Sequence, residues 1–122
     1  MPKINKNFFM FLTTIFLGGC GDKADSGTDT SCDNVSANVT YVGNMKAVFD
    51  SVCTKCHQSN LTGSSRQSAP SGVDYDTLEK AAANATSGLK RVQAATMPPS
   101  GNTKLTADQI CLYSSWVKQG LK

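Results

Sequence analysis

An all-α domain is the fold class this sequence predicts, and three observations predict it. Apolar residues recur at helical spacing around residues 45–52, 78–83 and 110–121. No stretch alternates apolar and polar residues as a half-buried strand would. Helix-capping patterns stand directly before the second and third of these stretches. The chain also carries no internal repeat.

The first helix is expected to start at Asn44, a good N-cap residue. Met45, Val48, Phe49 and Val52 form its apolar stripe and run into Cys53-Thr54-Lys55-Cys56-His57. Cys53 and Cys56, three residues apart, would then share one face of its last turn. Gln58 to Gly72 is polar and carries no strand pattern. Asp76-x-x-Glu79 reads as a capping box that opens a second helix through Leu78 and Ala81 to Ala83. Gly88 is expected to separate that helix from a short turn at Leu89 to Gln93. The last helix has the clearest signature. Thr106 caps it, Gln109 closes the box and Leu105 is placed to staple onto Ile110. Ile110, Tyr113, Trp116, Val117 and Leu121 form its apolar face, and Gly120 marks its end.

Ahead of this domain (residues 41–122) lie two segments of different composition. In residues 1–19, Lys3 and Lys6 precede an apolar run from Phe8 to Leu17 that is too short to span a bilayer, so it reads as a signal peptide. It ends in Leu17-Gly18-Gly19-Cys20, which resembles the bacterial lipoprotein cleavage box. Cys20 is therefore expected to be acylated, giving a lipid-anchored protein of the bacterial cell envelope that faces the periplasm. Gly21, in place of an acidic residue, favours the outer membrane. Residues 20–40 are rich in Gly, Asp, Ser, Thr and Asn, as a flexible polar tether would be. The net charge of +3 falls by two once Lys3 and Lys6 are removed. That balance excludes a basic nucleic-acid binder, so no nucleic acid is expected as a partner.

The chemistry concentrates at Cys53-Thr54-Lys55-Cys56-His57. C-x-x-C-H is the attachment sequence for c-type haem. Each thiol can form a thioether to one vinyl group, and the adjacent imidazole then falls beneath the iron. Alternative uses fit less well. A zinc ion would need both sequence-adjacent Cys56 and His57 on one tetrahedron, and a thioredoxin-like C-x-x-C would need a βαβ pattern. Of the remaining cysteines, Cys32 and Cys111 form an even pair in an oxidising compartment and are expected to be disulfide-bonded.

His57 is the only histidine, so a second axial ligand from this chain would be a methionine or a lysine, the alternatives being water or none. Met45 lies too close to the motif on the same helix to reach the opposite face. Met97, in Ala95-Thr96-Met97-Pro98-Pro99, sits where tandem prolines forbid helix and stiffen an extended loop. Arg66, Lys90 and Arg91 could pair with haem propionates, although as surface charges they need no such role.

With these residues in place, the chain resembles the small single-haem cytochrome c family over about residues 41–121. The resemblance rests on Cys53-Thr54-Lys55-Cys56-His57, the Met97-Pro98-Pro99 loop and the closing helix from Leu105 to Gly120. It implies a helical domain wrapped around one covalently attached haem c, with His57 and Met97 on the iron. It further implies that the first and last helices cross, with Phe49, Tyr113 and Trp116 as candidates for that contact and the haem wall. A proline between the motif and the methionine loop often supports the imidazole through a nearby carbonyl, and Pro70 is the candidate. The lipoprotein box, the tether and the extra cysteine pair depart from the family pattern.

The expected function is one-electron transfer between redox protein partners, rather than catalysis, by a lipid-anchored protein. Two alternatives stay open: an electron-transfer subunit of a larger dehydrogenase or oxidase, and a sensor or peroxidase-like haem with an open sixth position. The latter lacks a distal histidine, because His57 is already proximal.

Overall fold

A computed structural model describes Cys32, Val35 and residues 38–122. The expected signal peptide 1–19, the expected acylation site Cys20 and most of the expected tether 20–40 lie outside the described residues. Among the described residues the fold is all-α, with three α-helices and no strand. None of these helices is long and apolar enough to cross a membrane.

The first helix begins earlier than Asn44. A π turn over Tyr41–Met45 leads directly into α1, Lys46–Val52. Thr40 is the cap: its Oγ1 accepts from the Gly43 N–H at 3.0 Å, and Asn44 Oδ1 accepts from the Thr40 N–H at 3.1 Å. Asn44 is thus the returning partner of a cap rather than the cap itself. Its offset is four residues because the π turn adds one.

The cysteine motif does not occupy the last turn of α1, as the sequence suggests. α1 ends at Val52, and residues 53–57 form a separate turn in which the His57 N–H reaches the Cys53 carbonyl at 2.9 Å. The Ser51 and Thr54 hydroxyls donate to the carbonyls of Val48 and Asp50. Such side-chain bonds compete with the helical ladder and end the regular register.

α2, Leu78–Gln93, is one continuous helix where the sequence suggests a shorter helix and a turn. Its cap is Thr77, whose side chain accepts from the Lys80 N–H, rather than Asp76. The Asp76 carboxylate is engaged elsewhere, accepting from both the N–H and the hydroxyl of Ser59. Gly88 does not break the helix. It lies buried where a Cβ would overlap the Tyr75 and Tyr113 hydroxyls, so glycine is there for close packing.

α3, Ala107–Lys118, follows the sequence reading. Thr106 and Gln109 form both halves of the capping box, and Gly120 adopts φ +89 beyond the helix. Leu105 belongs to the core and Ile110 packs against it. Thr106→Ala should therefore lower stability by about 1 kcal/mol in a urea melt, as loss of an N-cap does.

An aromatic cluster joins these elements. Phe49, fully buried, meets Tyr113 edge-on at 5.1 Å and Trp116 at 5.7 Å between ring centroids. The first and last helices meet through these rings, each pair worth roughly 1 kcal/mol beyond burial. Met45, Tyr41 and Tyr75 complete the cluster's surroundings. The Lys122 carbonyl accepts from the Tyr41 N–H at 2.7 Å and from Trp116 Nε1 at 2.9 Å, which fastens the π turn to α3. A disulfide between Cys32 and Cys111 ties the segment ahead of the π turn to the same helix.

Candidate functional site

Cys53, Cys56, His57 and Met97 line one cavity of about 450 Å³. Its volume lies within the range of cofactor sites. Five parts of the chain build it: the end of α1 with the turn after it, the loop 67–75, the middle and end of α2, the segment 97–105, and α3 through Tyr113. Val52, Val73, Val92, Leu105, Pro98 and Tyr113 give it a largely apolar wall.

Cys53 and Cys56 are free thiols, both half-buried. Burial pushes the Cys53 thiol up to about 12, so it stays neutral at physiological pH. The His57 Nδ1 lies 2.7 Å from the Val73 carbonyl oxygen. A carbonyl only accepts, so Nδ1 carries the proton and Nε2 keeps a free lone pair. The Tyr75 ring stands perpendicular to the imidazole at 5.7 Å, and the Tyr75 N–H donates to the His57 carbonyl at 2.9 Å. The Nδ1 hydrogen bond and the Tyr75 ring together fix its plane.

The supporting carbonyl is a nearby one, that of Val73, whose N–H donates to the Pro70 carbonyl at 3.3 Å, and not that of Pro70 itself. The Pro70 oxygen also accepts from Arg66 Nη2 at 2.7 Å, and the imidazole turns instead to Val73, three residues on. A backbone acceptor leaves no trace in the sequence, so Val73 was not legible there.

Met97 is held by the end of α2. Its N–H and that of Thr96 both donate to the Arg91 carbonyl, at 3.2 and 3.0 Å, after Ala95 turns the chain at φ +54. Lys104 Nζ donates to the carbonyls of Ala95 and Pro98, closing the loop from the other side. Met45, by contrast, is fully buried in the core away from the cavity lining. The two methionines are therefore separated by position.

Of the aromatic residues named as wall candidates, Tyr113 lines the cavity, whereas Phe49 and Trp116 serve the helix contact. Sequence reasoning missed Tyr75. Its hydroxyl and that of Tyr113 donate to the α2 carbonyls of Asn84 and Ala85, and burial raises the pKa of both phenols. Among the basic residues, Arg91 lines the cavity and Lys90 is exposed. Arg66 is buried and pairs with Asp74 at 2.8 Å.

Among the described residues, no group of three or more His, Cys, Asp or Glu side chains is disposed to hold a metal ion. Two thiols, one imidazole and one thioether do share one largely apolar cavity. Comparison with protein-family models, curated proteins and solved structures found no match to this chain.

Proposed function

We propose that this protein is a one-electron carrier with a single covalently attached haem c, tethered by lipid at Cys20 to the periplasmic face of the bacterial envelope. One observation carries the reading: Cys53, Cys56, His57 and Met97, chosen on sequence grounds, line the same cavity although forty residues separate the last two. The lone pair left on His57 Nε2 suits a proximal ligand, and the Val73 bond fixes its tautomer as such ligands require.

When bound, haem c would supply a one-electron couple. The chain's own residues determine how that couple behaves. Cys53 and Cys56 would hold the group by thioether bonds, and His57 and Met97 would occupy the two axial positions. A thioether ligand and an apolar wall both favour the reduced state. If His57 and Met97 both bound the iron, a substrate would find no open coordination site, which favours electron transfer over catalysis. Redox protein partners, in solution or in a stable complex, would be the source and destination of the electron.

The full chain, expressed in a host with haem-attachment machinery, should gain the mass of one haem with both thiols of the motif blocked. Its ascorbate-reduced spectrum should be that of a low-spin haem c. Met97→Ala should leave the attachment intact but remove the low-spin signature and admit carbon monoxide. Colourless mature protein would refute the cofactor, and a high-spin wild type unchanged by Met97→Ala would refute the ligand.

A further inference from the structure

The segment that presents the Val73 carbonyl to His57 is held by one side chain. Arg66 and Asp74 are the buried charged residues among those described, 8% and 5% exposed. Arg66 Nε donates to the Ala69 carbonyl at 3.2 Å, and Nη1 to those of Gln58 at 2.9 Å and Leu61 at 3.5 Å. Nη2 reaches the carbonyls of Pro70 at 2.7 Å and Val73 at 3.4 Å, as well as Asp74 Oδ1 at 2.8 Å. A polar loop with no regular structure beyond the short 3₁₀ turn Gly63–Arg66 is thus organised around a single guanidinium.

We propose that Arg66, with Asp74 as its counter-ion, is the positioning residue of this site: it fixes the acceptor of the His57 imidazole and so tunes the electron affinity of the group that His57 ligates. The proposal rests on the reading of His57 as an axial ligand. The Val73 oxygen serves both Arg66 Nη2 and His57 Nδ1–H, so the hydrogen bond of the imidazole ends on a group that Arg66 frames. A firm bond at Nδ1 raises the basicity of Nε2 and makes it a stronger donor to a bound metal. Loosening the frame weakens that donation and favours the reduced state. The ion pair is neutral as a unit, so its net field contributes little beside this geometric effect.

The test uses the full chain, with haem attachment read by mass before any other measurement. Arg66→Lys keeps the charge but loses the planar fork. Arg66→Met combined with Asp74→Leu removes both charges and leaves neither buried alone. Both variants should raise the midpoint potential. Both should also speed exchange of the His57 Nδ1 proton by about tenfold or more beyond what their loss of global stability explains, the scale of one lost hydrogen bond. The Cys32→Ser/Cys111→Ser variant is the control for mere destabilisation and should leave the potential unchanged. Unchanged potential and exchange in both Arg66 variants would overturn the proposal, as would an equal potential shift in the disulfide control. Absence of haem from the wild type would instead refute the axial-ligand reading on which it rests.

Discussion

Replacing Cys32 and Cys111 together by serine is expected to cost about 4 to 5 kcal/mol of stability. The bridge spans 79 residues and so encloses almost the whole domain. Cross-linking over that length removes loop-closure entropy from the unfolded chain worth about 4.5 kcal/mol. Domains of this size have a net stability of only about 5 to 15 kcal/mol. Urea denaturation would show a lower midpoint, and the unfolding slope should rise because the freed chain exposes more surface. Cys111 is itself buried on α3, so part of the loss would come from the packing of that helix. A change below 1 kcal/mol would mean that the bridge does not constrain the unfolded state.

Gly88→Ala should destabilise by about 2 to 3 kcal/mol, although alanine in mid-helix ordinarily gains up to about 1 kcal/mol over glycine. The added methyl would overlap two phenol oxygens at once. Tyr75 and Tyr113 reach this point because each donates to a carbonyl one turn back along α2, so neither can withdraw without leaving a buried hydroxyl unpaired. Tyr113→Phe in the Gly88→Ala background should recover part of the loss, since one of the overlapping oxygens is gone. Thermal melts of the two variants would check both statements. A neutral or stabilising Gly88→Ala would show that the tyrosines move aside freely.

Legibility in the sequence followed the range of the interaction. α3 could be read residue by residue because its cap is local, made by Thr106 and Gln109 on their own backbone. The start of α1 was misplaced because Thr40 and Asn44 are both good capping residues and only the π turn decides their roles. α2 was cut short because the reason for Gly88 lies on α3 and in the loop before α2, not in its own helix. Of the cavity lining, Cys53, Cys56, His57 and Met97 were legible because thiols, an imidazole and a thioether beside prolines stand out as residue types. Val73 and Arg66 were not. One acts through a main-chain oxygen, and the other through contacts with carbonyls that any sequence would carry.

The cavity has one further property. Among the described residues lining it, Arg91 is the only one with a permanent formal charge and is itself exposed, while the other exposed members, Gln67, Ser68, Pro70, Ser87, Pro99 and Asn102, are neutral. A visitor approaching this opening would meet a small positive field, from Arg91 in the lining and Lys104 at the proline loop. Docking there would depend mainly on complementary shape and on release of bound water, with a modest preference for acidic surfaces that weakens as salt rises.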